Sequence, residues 1–264
     1  GAVDRDRAGG DGGGGTGVAR GVGDRGGLER EDDRARGAGG DRDGVGGATA
    51  RGGPDHAAGG GAGNDVLRSG AGSALLYGGA GNDYMDGAAS NDVLSGGADN
   101  DTILGATGDD QLLGGDGNDS LLGGIGNDSL AGDAGNDTLY GDQGDDSIDG
   151  ANGNDYITGG TGADSLSGSN GNDTILAEAG NDVLGGGAGD DYLDGGDGMD
   201  ALVLFGITAA ITLDLSTSWQ GAVTFSGLGT DTIRNFEGVI GGDGAYNDSI
   251  TGSAGNDIIG GGDR

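Results

Sequence analysis

A nine-residue period runs through residues 60–203, sixteen units in succession with no insertion or deletion. This period decides the fold before any single helix or strand does. A unit this short cannot bury its own apolar face, so the units must stack on one another into a solenoid. Gly114 to Leu122 (GGDGNDSLL) and Gly186 to Asp194 (GGAGDDYLD) are representative. Position 6 is Asp in fifteen units, with Ala74 as the exception. Position 8 is Leu, Ile or Met in all sixteen, from Leu67 to Leu202. Position 4 is Gly in fourteen, with Ser90 and Asp99 as exceptions, and position 5 is Asn or Asp in thirteen.

Composition narrows the chemistry. The 264 residues include 72 Gly, 45 Asp and Glu, 12 Arg, no Lys and no Cys, for a formal charge of -33. Without lysine there is no P-loop, and a single histidine, His56, excludes an HExxH metalloprotease pair. Without cysteine there is no disulfide framework, thiolate nucleophile or Cys-zinc site. So negative a chain repels phosphate backbones, which speaks against nucleic acid and invites cations. No apolar run reaches the ~18 residues of a membrane span, and no apolar segment near the N-terminus reads as a signal peptide.

The flanks differ from the repeat. Residues 1–59 hold 9 of the 12 arginines and show no apolar period. They read as a disordered Gly/Arg/Asp-rich segment. Residues 204–242 break the period and read as an irregular β segment or cap. Ile211 to Leu215 and Val223 to Phe225 alternate like half-buried strands, and 231–240 is mixed. Residues 243–264 read as resumed, truncated repeats around Asp248 and Asp257.

The consensus GGxGxDxUx, where U is aliphatic, resembles the RTX family, the haemolysin-type calcium-binding repeats of secreted bacterial proteins. The resemblance covers 60–203 without a gap and 243–262 more weakly. It implies an all-β fold: a right-handed parallel β-roll (a β-helix solenoid) with two nonapeptides per coil and Ca2+ between stacked coils. It also implies metal ligands at the position-6 acids: Asp65, Asp83, Asp92, Asp101, Asp110, Asp119, Asp128, Asp137, Asp146, Asp155, Asp164, Asp173, Asp182, Asp191 and Asp200, with Asp248 and Asp257 beyond the break.

The residues themselves point the same way. Glycine reaches positive φ without steric cost, so positions 1, 2 and 4 permit a tight loop. Asn and Asp tolerate the left-handed region and suit position 5. Loop carbonyls and a carboxylate are hard oxygen ligands, of which calcium takes 6–8. The closing xUx is long enough for a short strand whose middle side chain points inward. With two units per coil, Asp119 lies over Asp137 at about 4.8 Å between strands. Asp110, Asp128 and Asp146 form the opposite row. The spacing predicts roughly ten to fourteen calcium sites, with the gap from Ala74 to Asp92 spoiled, in a rod about 38 Å long. Residues 60–203 carry 27 acids against one cation, Arg68, which fourteen divalent ions would nearly neutralise. One aliphatic side chain in nine residues is too thin a core to offset chain entropy, so metal binding and folding are expected to be one event.

Rival readings fail on particular residues. An acidic linker needs no aliphatic residue in every ninth place. An EF-hand needs Glu at loop position 12, and none of the four Glu is so placed. Paired carboxylates that cleave glycosides are set aside because every position-6 Asp has a metal role. Tyr84, Tyr156 and Tyr192 at position 7, and Tyr77 and Tyr140 at position 9, read as exposed strand residues rather than a sugar platform. The functional expectation is a non-enzymatic, calcium-induced folding module of a secreted, extracellular protein. The resemblance implies export by type I secretion machinery, as is typical of the family. Two alternatives are a calcium-rigidified adhesin or surface-layer rod, and an accessory domain of a secreted enzyme.

Overall fold

The computed structural model describes residues 49–51, 56–204, 212–214, 220–225, 229–240, 249–251 and 258–260, with side chains over 57–204 and 231–240. These residues form an all-β parallel solenoid of about 8 turns. Strands alternate between two sheets along the chain, and each pairs with the strand one coil before and one coil after it. The register is eighteen residues throughout the repeat: Leu112 pairs with Leu130, and Leu130 with Ile148. Two nonapeptides therefore make one coil.

The strands are longer than the closing three residues suggest. Many run six residues, as in Ser120–Ile125 and Ser129–Ala134, crossing the unit boundary into the next glycines. Others stop at three, as in Tyr84–Asp86 and Ser147–Asp149. Pairing skips position 1 and resumes at positions 2 and 3: Ala131 pairs with Leu113, then Asp133 with Gly115. The skip reflects a kink at position 2, where the backbone is left-handed. Gly115 has φ 115°, and the same corner is held by Ala106 (80°), Asp133 (71°) and Glu178 (76°). Left-handed backbone costs a side-chain-bearing residue roughly 1–2 kcal/mol, so these units carry local strain where glycine would carry none.

Position 8 builds the core. Leu67, Met85, Ile103, Leu121 and Leu139 of one sheet face Leu76, Leu94, Leu112 and Leu184 of the other, all fully buried. Their neighbours at positions 7 and 9 point outward, as strand alternation requires.

The ladder extends beyond the uninterrupted repeat at both ends. Thr49–Arg51 pairs with Val66–Arg68, and His56–Ala62 with Ala74–Ala80. After Val203, Gly229–Arg234 continues one sheet beside Tyr192–Asp194, and Gly238–Ile240 continues the other beside Ala201–Val203. The antiparallel strand Gln220–Phe225 lies on the far side of Gly229–Arg234, and Ile258–Gly260 pairs with Gly238–Ile240.

Candidate metal centre

Each position-6 aspartate stands at the mouth of a strand, where the glycine loop ends. Its carbonyl accepts the first ladder hydrogen bond of the next coil, as Asp119 O does from Thr138 N at 2.9 Å. Its own N–H donates to the carboxylate one coil further on. Asp101 N reaches Asp119 Oδ1 at 2.7 Å, and Asp119 N reaches Asp137 Oδ1 at 2.8 Å. The same bond repeats in the second row, from Asp110 N to Asp128 Oδ1 and from Asp128 N to Asp146 Oδ1. Asp65 and Asp92 belong to these rows and are buried with the rest; Ala74 N donates to Asp92 Oδ1 at 2.6 Å.

The other carboxylate oxygen is left over. Oδ2 of Asp83, Asp101, Asp110, Asp119, Asp128, Asp137, Asp146, Asp155, Asp164, Asp173, Asp182, Asp191 and Asp200 is buried, and no hydrogen-bond donor reaches it. Its position is defined by the glycine that opens the same unit. A Cβ on Gly114 would collide with Asp119 Oδ2 and would lie 2.7 Å from the carbonyl of Gly132, one coil away. Glycine at position 1 thus keeps open a space into which a carboxylate oxygen and a carbonyl oxygen converge. Position 1 needs glycine for this close approach, not for left-handed backbone.

Position 5 also departs from the expectation of a left-handed Asn. Among the described units it is absent from the positive-φ residues. Its side chain serves instead. Asn118 Oδ1 accepts from Asn136 N at 2.7 Å, and Asn136 Oδ1 from Asn154 N at 2.7 Å. This ladder points along the solenoid opposite to the aspartate ladder. Together they tie the loop edges of successive coils wherever position 5 is Asn or Asp.

No cluster of three or more His, Cys, Asp or Glu side chains lies among the described residues. A cation at a loop therefore draws on one or two carboxylates plus backbone carbonyls, an all-oxygen donor set that suits calcium. Arg68 faces Asp86 at 3.8 Å and Arg234 faces Asp194 at 3.6 Å, both acids outside the position-6 rows.

Calcium chemistry and this donor set meet in the comparison with known families. A model of the RTX calcium-binding nonapeptide repeat matches residues 59–94, 87–121, 95–130, 122–157, 131–166, 149–184, 167–202 and 243–263. The chain belongs to this family. RTX repeats bind Ca2+ and form β-roll modules. Comparison with curated proteins returns no match.

The electrostatics of these RTX rows are severe. Burial raises the carboxyl of Asp137 to about 7, against a backbone hydrogen bond that lowers it and with Asp119 and Asp155 adding to the rise. Asp101, Asp146, Asp173 and Asp200 are pushed to about 7 by the same leading cause, and Asp110, Asp128 and Asp164 to about 6. At these carboxyls burial favours a proton or a bound cation over the bare carboxylate.

Two exceptions at position 1 are instructive. Ser69 opens the unit whose position 6 is Ala74, and its hydroxyl donates to the Gly87 carbonyl. That is the position-1 carbonyl which elsewhere lies beside Oδ2. A neutral hydroxyl takes the place of a carboxylate where the carboxylate is missing. Ala177 is the other exception, and its fully buried methyl stands in the loop that contains Asp182.

Two acids escape the sequence pattern. Asp191 N donates to Asp231 Oδ1 at 3.2 Å, and Asp200 N to Glu237 Oε2 at 3.0 Å. Asp231 continues one row and Glu237 the other. The signal was present as Ser226-Gly-Leu-Gly-Thr-Asp-Thr-Ile-Arg, an out-of-phase nonapeptide with glycine at positions 2 and 4, and as Glu237-Gly-Val-Ile, an acid two residues before an aliphatic with no glycine loop ahead of it. Asp248 and Asp257 lie outside the described residues; the strands Ser249–Thr251 and Ile258–Gly260 follow them directly.

Proposed function

We propose that the chain is a calcium-triggered folding module of a secreted bacterial protein, with no catalytic activity of its own. The position-6 aspartates supply the metal-binding oxygens, Oδ2 with the loop carbonyls beside it. The single observation that carries this reading is the double row of buried carboxylate oxygens that no donor reaches. With about ten to fourteen ions bound, the self-repulsion of the rows becomes attraction between coils. In a cell whose cytosolic calcium is low, the chain stays open and threadable for type I export. Outside, calcium closes the coils in sequence.

The domain limits follow the same logic: 60–203 is the metal-dependent roll, which the strands Thr49–Arg51 and His56–Ala62 extend at its N-terminal end, 204–242 an interrupting β segment and 243–264 a resumed repeat. A repeat-only solenoid is typical of non-catalytic domains, and among the described residues no helix is long and apolar enough to cross a membrane.

Far-UV circular dichroism during a calcium titration tests the reading, with magnesium as control. A β spectrum should appear with calcium at about 10⁻⁴–10⁻³ M, the range of extracellular calcium modules. Magnesium, which demands near-ideal octahedral geometry and sheds water reluctantly, should not replace it. A chelated sample that kept its full β spectrum and compact size would sink the proposal.

A further inference from the structure

The two acid rows do not end with the nonapeptides. Beyond Val203 the chain leaves the period, and the strands that resume the two sheets, Gly229–Arg234 and Gly238–Ile240, are joined by Asn235, Phe236 and Glu237 instead of a glycine-rich loop. The register nonetheless holds. Ile233 pairs with Leu193, and Val239 with Leu202, so both aliphatic residues take core positions. Glu237 then stands where a position-6 aspartate would stand, and its extra methylene lets the carboxylate reach Asp200 N at 3.0 Å across the shortened turn.

The space beside it is built like the repeat sites. Asp200 is 1% exposed, and no donor reaches its Oδ2. That oxygen lies 2.8 Å from the point where a Cβ on Gly195 would sit, and the carbonyl of Asn235 closes on the same point. The Asn235 carbonyl thus substitutes for the position-1 carbonyl of a following repeat. Asn235 holds left-handed backbone at φ 55°, and its side-chain amide donates to Asp194 Oδ1 at 2.6 Å, which fixes the turn. Nη1 of the nearby Arg234 guanidinium has other partners: it donates to the Tyr192 hydroxyl at 2.8 Å and lies 3.6 Å from Asp194 Oδ2.

We propose that Asp200, the Asn235 carbonyl and Glu237 hold one calcium ion at the junction between the last full nonapeptide and the segment beyond the break. The ion pins the strand Gly238–Ile240 to the last full coil, so calcium closes one sheet of the solenoid across a break in its own repeat. This rests on the reading that the aspartate rows bind calcium. The bland alternative gives Glu237 only the task of accepting a backbone N–H.

Glu237→Gln separates the two. The glutamine carbonyl still accepts from Asp200 N, while the charge is lost. Bound calcium is counted on the full chain by native mass spectrometry, and hydrogen exchange is followed in 229–240 at saturating calcium. The expected result is one ion fewer than in the parent chain, with protection reduced in Gly238–Ile240, the strand beside the site, and kept in Gly229–Arg234, which pairs in the other sheet. An unchanged count overturns the proposal. A lost ion accompanied by lost protection of Gly229–Arg234 also overturns it, because packing rather than charge then carries the loss. If the parent chain itself binds no calcium, the reading of the aspartate rows fails instead, which the parent count reveals separately.

Discussion

The backbone N–H of Asp119 donates to Oδ1 of Asp137, eighteen residues on, at 2.8 Å. The same carboxylate sends its second oxygen into a buried space where no donor meets it. One side chain thus closes the backbone ladder between coils and also creates the charge that would drive those coils apart. The fold and its need for a counter-charge come from a single group.

Substitutions at Asp137 should divide these two roles. Asp137→Asn keeps an oxygen for Asp119 N–H and removes the charge. Asp137→Ala removes both and leaves a buried N–H without its acceptor, which costs about 1–3 kcal/mol. In urea titrations at saturating calcium both variants should be weaker than the parent, with Ala below Asn by about that amount. In chelator at neutral pH the Asn variant should equal or exceed the parent, since it has one buried charge fewer. Equal urea midpoints for Asn and Ala at saturating calcium would contradict the ladder role.

The carboxyl shifts give a pH dependence of opposite sign with and without metal. The folded-state values of Asp101, Asp137, Asp146 and Asp173 stand at about 7, above the ordinary 3.8. Groups raised in this way make the metal-free roll take up protons as it folds. Their contribution is full below pH about 3.8 and disappears as pH rises through about 7. Chelated protein should therefore hold more β structure at pH 5 than at pH 8. Calcium competes with the same protons, so its half-saturating concentration should fall over that interval. Circular dichroism of chelated and titrated samples at the two pH values checks both signs.

Much of this was legible in the sequence because the nonapeptide writes the same backbone sixteen times. Position 8 announced the core, and position 6 the rows, through residue type alone. What escaped was set by geometry between coils. Asn at position 5 looked like a left-handed turn residue, but its side chain bonds to the neighbouring coil, a partner eighteen residues away that local propensity does not register. Glycine at position 1 looked like a loop residue, but it marks a close approach between coils. Asp231 was hidden because its nonapeptide, Ser226 to Arg234, falls out of phase with the array and follows an irregular stretch, and Glu237 because no glycine loop precedes it, while the sheet register carried on regardless.

The position-1 glycine gives a sharp steric test. In Gly114→Ala the new methyl meets Asp119 Oδ2 and the Gly132 carbonyl at once. The carboxylate must swing away or the coils must part. Calcium binding should weaken locally, and exchange protection should drop first in Ser120–Ile125 and Ser129–Ala134. Ala177→Gly is the reciprocal change. It opens the loop that contains Asp182 and should raise calcium affinity or count at that coil. Isothermal titration of the two variants against the parent reads both directions, and identical isotherms for all three would contradict the role assigned to the space.

The unit that lacks an acid offers the strongest constructive test. Ser69 and Ala74 differ from the consensus together, and the Ser69 hydroxyl bonds to the Gly87 carbonyl. In this coil a neutral group satisfies the carbonyl that a cation would otherwise engage. Restoring Asp alone, as Ala74→Asp, would bury a carboxylate against that hydroxyl with no room for an ion, so it should destabilise the N-terminal coils. Restoring both, as Ser69→Gly with Ala74→Asp, should recreate the converging oxygens and add one calcium to the count by native mass spectrometry. The double variant should also be more dependent on calcium: less stable than the parent in chelator, and at least as stable with calcium bound. A count that stays at the parent value in a folded double variant would mean that a position-6 acid and a position-1 glycine are not sufficient to make a site.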